Sequence, residues 1–197
     1  MLERSMGGGM WMMNGAHMVD CLLWFVGSPA VAVKAMVTNK IIGQNADDSI
    51  LAFIEFANGT CATLAHTGTK KPEPPPAEQW LTTEVIGTEG SVKAISYEGQ
   101  AWLNRDGTYE RVTLASDAER EEKVVRFLNE ESGSPIDTPL PQSAIEQTGG
   151  IWAEVSAFVV AINGGQAPPV SNSHALDVMR IILAVEESSR NGREILL

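Results

Sequence analysis

One histidine, His17, stands where it could exchange a proton. It lies in the apolar run Met10–Val26, MWMMNGAHMVDCLLWFV, and on a helix residues three and four apart share a face. Met13 and Asn14 then lie one turn before His17, and Asp20 and Cys21 one turn after it. An imidazole so placed, soon after the triple glycine Gly7–Gly9, could take a proton from a bound hydroxyl or give one to a carbonyl. The same spacing fits a packed histidine hydrogen-bonded to Asp20, and periodicity alone favours that plainer role. Of the other two histidines, His66 falls in an alternating apolar stretch and reads as packed. His174 falls in a first helical turn and reads as solvated. Two scattered cysteines, Cys21 and Cys61, add no zinc-like spacing, and no G-x-S-x-G elbow offers a nucleophile. Trp11 and Trp24 read as core or domain-interface residues rather than substrate platforms.

The element carrying His17 has to be held in place. Residues 1–9, MLERSMGGG, read as a junction where backbone approaches something closely, because three glycines are a poor way to begin a helix. The helix over Met10–Val26 stops at Gly27-Ser28-Pro29, a normal termination signal. The period then changes to two over Ala30–Thr38. Ser49–Ala57 and Thr60–Thr67 flank Asn58-Gly59, which predicts a hairpin with a two-residue loop. That loop sets Phe56 opposite Cys61, Ile54 opposite Thr63, Phe53 opposite Leu64 and Leu51 opposite His66. One hairpin face is then Ile50, Ala52, Ile54, Phe56, Cys61 and Ala65, and the other is Leu51, Phe53, Glu55, Ala62, Leu64 and His66. Both are largely apolar, so both are expected to be covered.

Further along, Lys70–Ala77 is a proline-rich excursion. Strands are expected at Leu81–Ile86 with Ser91–Ser96, and at Ala101–Asn104 with Glu110–Leu114, the second pair turning through Asp106-Gly107. Residues 116–141, with a charged helical run at Glu119–Asn129, read as a surface insertion. Helices follow at Gln142–Asn163, with Ile145, Trp152, Val155, Val159 and Ile162 on one stripe, and at Ser173–Asn191, with Ala175, Val178, Met179, Ile182 and Val185 on another. Glu194–Leu197 can return as a strand. The expected fold is α+β: one domain over 1–197, a largely antiparallel open β-sheet with helices packed on one face.

Composition excludes more than it assigns. The 197 residues carry 14 Lys+Arg against 25 Asp+Glu, a formal net charge of −11, unlike the basic face that nucleic acid or an anionic membrane requires. Asn14, His17 and Asp20 interrupt the most apolar stretch, which is too short for a bilayer span. Glu3 and Asp20 spoil a signal-peptide reading, and the sparse cysteines suggest a reducing, cytoplasmic setting.

Several motifs in order suggest a family. Gly7 through Asp20 (GGGMWMMNGAHMVD), with Trp24 and Gly27 after it, resembles the signature helix of the Gfo/Idh/MocA oxidoreductases. Asp47-Asp48-Ser49 leading into Phe53–Thr60 (FIEFANGT) resembles the family's acidic lead-in and F-x-N-G hairpin. Ile86–Ser91 (IGTEGS) resembles its G-T-x-G turn. Phe158, Asn163-Gly164-Gly165, Pro168 and Ala175, and the Ser188–Gly192 ending, resemble its last two helices. The likeness covers nearly the whole chain.

The resemblance implies a dihydrodipicolinate-reductase-like C-terminal domain that binds substrate and oligomerises. It is expected without the N-terminal Rossmann domain that carries the nucleotide in this family. Gly7–Gly9 is no dinucleotide fingerprint, since position 12 is methionine, no strand fits before it and no βαβ unit follows. The implied function is the substrate side of an NAD(P)-dependent oxidoreductase acting on a sugar, polyol or related hydroxy compound, inactive as this chain alone. NAD or NADP would be bound mainly by the other domain. In the family's polyol dehydrogenases the pattern is Asp-x-Gly-x-His; here Met13-Asn14-Gly15-Ala16-His17 keeps the histidine and has methionine in place of the acid. His17 is therefore the candidate acid/base, with Asn14 and Met13 as substrate-binding candidates. The contrasting possibility is a non-catalytic α+β dimerisation module. Either way the uncovered apolar sheet face predicts a homo-oligomer.

Overall fold

Glycine and apolar spacing fix the first long helix. In the computed structural model, which describes residues 4–40, 45–67, 82–95, 100–113, 122, 125–126, 154–155, 157–168 and 170–197, helix α2 runs Met10–Val26. Its C-cap, Gly27, adopts φ 61° and donates its N–H to Leu23 O at 2.9 Å, a left-handed ending that glycine reaches without Cβ strain. Ahead of it, a single turn, α1 (Arg4–Gly7), lies within the stretch read as a junction. The chain divides into two compact units, 1–72 with 170–197, and 73–169.

The first unit holds a four-stranded sheet in the order β3-β2-β1-β8, antiparallel throughout, built from β1 (Ala30–Thr38), β2 (Ser49–Phe56), β3 (Cys61–Thr67) and β8 (Ile195–Leu196). Helix α3 (Asn172–Asn191) packs along β1, and α2 packs on α3 and over β2 and β3. The core between them is Val19, Leu23, Val33, Ile50, Ala52, Ile54, Phe56, Val178, Ile181, Ile182 and Val185, together with Trp11. The expected α3 stripe is right at Val178, Ile182 and Val185. Ala175 and Met179 lie on the exposed side, and Ile181 and Ser188 take the inward positions.

The β2–β3 hairpin corrects the predicted register by one residue. Phe56 and Thr60 close the ladder, with Phe56 N–H donating to Thr60 O at 2.9 Å, and residues 57–59 form a three-residue loop. Gly59 takes φ 84°, and Asn58 Oδ1 accepts the Thr60 N–H at 3.0 Å. The extra residue in left-handed conformation is a common three-residue hairpin solution. The observed pairs are Glu55–Cys61, Ile54–Ala62, Phe53–Thr63, Ala52–Leu64, Leu51–Ala65 and Ile50–His66. A slip of one residue exchanges the faces of the slipped strand. Ala62, Leu64 and His66 therefore join Ile50, Ala52, Ile54 and Phe56 on the helix-covered side, while Cys61 and Ala65 join exposed Leu51 and Phe53.

β1 keeps few unpaired groups despite its two-residue neighbour. β8 pairs only with Ala32 and Val33. Beyond it, Ser188 Oγ accepts Ala35 N–H at 2.9 Å and Ser189 Oγ accepts Val37 N–H at 2.8 Å. Helix side chains thus finish the strand edge that would otherwise stand open.

In the second unit the strands form a separate sheet, β4-β5-β6-β7, also antiparallel. They are β4 (Thr82–Gly87), β5 (Gly90–Ile95), β6 (Gln100–Arg105) and β7 (Thr108–Thr113). Asp106 and Gly107 both have positive φ, 52° and 75°, as the expected tight turn requires. At Gly90 a Cβ would fall 2.1 Å from Asn104 O, so the second glycine of the G-T-x-G turn is a close-packing requirement. Residues 157–164 are helical and end at Gly165, φ 62°. Of the stripe expected there, Val155, Val159 and Ile162 are exposed and, among the described residues of the helix, Ala161 is buried instead. The predicted excursion Lys70–Ala77, nearly all of 116–141, and Ile145 and Trp152 lie outside the described residues.

Candidate active site on helix α2

Two buried side chains fix where α2 begins. Asp47, only 4% exposed, accepts the Trp11 backbone N–H on Oδ2 at 2.7 Å, satisfying one of the free donors of the first turn. The Met10 N–H also reaches Asp47 O at 3.4 Å. Gly9, φ 110°, precedes the helix, and a Cβ there would lie 1.8 Å from Asp47 Oδ1. The close backbone approach expected of the triple glycine is therefore to a carboxylate of the same chain. Trp11 turns its indole inward and donates Nε1–H to Ile182 O at 3.0 Å. Gly15 makes room for that ring, since a Cβ on it would meet Trp11 Cε3 at 2.5 Å. Trp11 is core, as expected; Trp24 is 75% exposed.

With Trp11, Gly15, Val19 and Leu23 facing inward, the remaining side of α2 faces out. His17, Asn14 and Met13 are all exposed on it, within one turn of each other. The alternative of a core histidine bonded to Asp20 is overturned: His17 is exposed, and Asp20 Oδ1 lies 2.5 Å from His174 Nε2. His174, expected to be solvated, is half-buried in that contact. No sequence signal joins residues 154 positions apart, so this pair was not legible. His66 sits opposite Ile50 on the covered side of the sheet. Burial pushes its pKa below the ordinary value of 6.5, and the Asp47 carboxylate opposes that shift.

These positions bear on cofactor binding. A helix N-terminus attracts phosphate through its free N–H groups and dipole. At α2 the Asp47 carboxylate already occupies that position, and its Oδ1 is buried without a hydrogen-bond partner among the described residues. A pyrophosphate would meet an anion there, so these residues do not fit a dinucleotide. Cys21 and Cys61 are exposed free thiols. Among the described residues, no group of three or more His, Cys, Asp or Glu could hold a metal, and no helix is long and apolar enough to cross a membrane.

Comparison with known proteins places the chain in a family. Residues 3–197 match the C-terminal alpha/beta domain of the oxidoreductase family, Gfo/Idh/MocA. The chain belongs to that family, and its α+β architecture is the fold expected for it. Among similar solved structures is an oxidoreductase domain protein from Kribbella flavida, at 17% identity and TM-score 0.72, covering 99% of this chain and 53% of that one. A levoglucosan dehydrogenase in complex with NADH and levoglucosan shows 20% identity and TM-score 0.70, over 99% and 52% of the two chains. The aldose-aldose oxidoreductase from Caulobacter crescentus complexed with glycerol shows 20% identity and TM-score 0.67, over 98% and 49%. The chain spans about half the length of the structures it resembles. No curated protein matches it significantly in sequence.

Proposed function

We propose that this chain is the substrate-side portion of an NAD(P)-dependent oxidoreductase acting on a sugar, polyol or related hydroxy compound. The observation that carries this reading is His17, exposed beside Asn14 and Met13 on a helix whose opposite side is locked into the core. His17 takes the proton of a substrate hydroxyl during oxidation, or returns it during reduction. Asn14 can both donate and accept hydrogen bonds, and Met13 gives the site an apolar wall where a polyol-type acid would otherwise stand. The nucleotide is held mainly by a separate domain, because the first turn of α2 is closed by Asp47. The likeness in fold to a levoglucosan dehydrogenase solved with NADH and to an aldose-aldose oxidoreductase solved with glycerol supports the reading.

The deciding experiment is kinetic, on a protein carrying this chain behind its nucleotide-binding domain. His17→Ala is expected to lower kcat by about 10²–10⁴-fold; unchanged kcat from pH 6 to 9 overturns the role. Genomic sequence upstream of Met1 should encode a strand, a G-x-G-x-x-G turn and a helix. By itself the chain should show no one-to-one NAD(H) or NADP(H) site tighter than roughly 100 µM by calorimetry.

Association belongs to the same proposal. The sheet side away from the helices exposes Met36, Leu51 and Phe53, aligned across β1 and β2 through the Met36–Leu51 and Lys34–Phe53 pairs. An isologous homodimer would bury this patch on both subunits. Light scattering at tens of micromolar, well above ordinary micromolar dissociation constants, should give more than a monomer's mass.

A further inference from the structure

The outward stripe of α2 continues past His17 to Asp20, which meets His174 of α3. Asp20 follows Met13 by seven residues, within about 20° of two full helical turns. Its Cβ therefore lies nearly in line with that of Met13, with His17 between them. From α3, His174 brings Nε2 to 2.5 Å from Asp20 Oδ1, and the two side chains stay 32% and 49% exposed. Their remaining polar atoms, Asp20 Oδ2 and His174 Nδ1, make no hydrogen bond to another described residue. His174 is itself held, since Ser171 Oγ accepts its backbone N–H at 3.1 Å. The outcome is a carboxylate fixed by an imidazole from a neighbouring helix, open to solvent one turn from His17.

Such a pair suits hydroxyl groups. A carboxylate oxygen accepts hydroxyl hydrogens, and an imidazole nitrogen can donate or accept one. Residues three apart on a helix place their Cβ atoms about 5–6 Å apart, a span over which one small molecule can touch both. A compound with one hydroxyl would use His17 alone; a compound with a second hydroxyl nearby could use both positions. We infer that Asp20 and His174 form a second hydroxyl-binding subsite beside His17, giving the site its preference for polyhydroxy compounds over simple alcohols. The subsite also supplies a carboxylate on the stripe where Met13 does not. This inference rests on the substrate-side reading of His17.

The test uses this chain and the ring signals of its three histidines in NMR spectra, with D-sorbitol and 1-propanol as probes over a millimolar range. Sorbitol is expected to shift the His17 and His174 signals along one saturation curve and to leave His66 in place. Propanol should show no saturation. Asp20→Asn should weaken the sorbitol response about tenfold, as expected for losing hydrogen bonds to a charged acceptor. His174→Gln should weaken it less, because its amide can still donate to Asp20. An unmoved His66 signal in both variants shows that the fold is intact. A shift confined to His17 overturns the subsite and leaves the substrate-side reading standing. Equal saturation by propanol, a response undiminished in Asp20→Asn, or no response of either ring also overturns it. The His17→Ala kinetics decide the underlying reading independently.

Discussion

The inner side of α2 carries Trp11, Gly15, Val19 and Leu23, all buried, while its outer side carries Met13, Asn14, His17 and Trp24, all exposed. The inner residues are tied to distant parts of the chain: Trp11 to Ile182 and Asp47, and Gly15 to the shape of the Trp11 ring. The outer residues have no such packing requirement. One helix thus separates a side that packs from a side whose residues are free of packing demands. Substitutions on the inner side should cost fold stability, and those on the outer side should leave the fold nearly untouched.

The largest expected effect is at the start of the helix. Gly9→Ala puts a Cβ 1.8 Å from Asp47 Oδ1 in a residue at φ 110°. Backbone strain and overpacking together should cost roughly 2–5 kcal/mol, a fall in Tm of roughly 5–20 °C for a chain this size. Gly15→Ala sharpens the point. In an open helix that change stabilises by about 1 kcal/mol, but here the new Cβ meets Trp11 Cε3 at 2.5 Å. The sign should reverse to a loss of about 1–2 kcal/mol. A rise in Tm would break the packing account of the inner side.

Next comes the acid that closes the helix. Asp47→Ala leaves the Trp11 N–H without its acceptor and should cost about 1–3 kcal/mol. Asp47→Asn keeps an acceptor and should cost less, as chemical denaturation of the two variants would show.

Legibility followed the range of the interaction. The boundaries of α2 and β1 matched because local glycine, proline and periodicity signals set them, and the tight Asp106-Gly107 turn did too. The β2–β3 register did not, because Asn58-Gly59 serves both two- and three-residue loops; a two-residue I′ turn needs positive φ at both residues, and here Gly59 has it while Asn58 does not. Periodicity puts Val155, Val159 and Ile162 on one stripe, yet all three are exposed and Ala161 is buried among the described residues of that helix; spacing shows that a helix has an apolar side, not what packs on it. At the candidate site, the helical spacing of His17, Asn14 and Met13 was local and correct. Asp20–His174 and Asp47–Trp11 join distant segments, and the triple glycine gave only the hint that something approaches closely.

His66 gives a pH test of the buried side. Its folded pKa lies below 6.5 because burial disfavours the imidazolium, with Asp47 opposing. The unfolded chain therefore binds this proton more readily than the folded one. The His66 contribution is complete above pH 6.5 and is lost as pH falls through the folded value. Melting curves between pH 8 and 5.5 should show that loss, and His66→Gln should remove this part of the slope. Asp47→Asn should steepen it, because the opposing charge is gone.

The smallest effect on the fold is expected at His17. Its side chain is exposed and makes no hydrogen bond or ion pair to another described residue. Replacing it removes no core volume and strands no buried partner. Surface changes of this kind stay within about 0.5 kcal/mol, and alanine's helix propensity works in the same favourable direction. His17→Ala should therefore melt within roughly 2 °C of the unaltered chain. A large Tm loss would mean that His17 packs against something, and a kinetic defect in a protein carrying this chain behind the proposed nucleotide-binding domain could then no longer be assigned to proton transfer. An unchanged Tm alongside a 10²–10⁴-fold loss of kcat would separate the two sides of α2 as the packing suggests: chemistry lost on the outer side while the inner side keeps the fold.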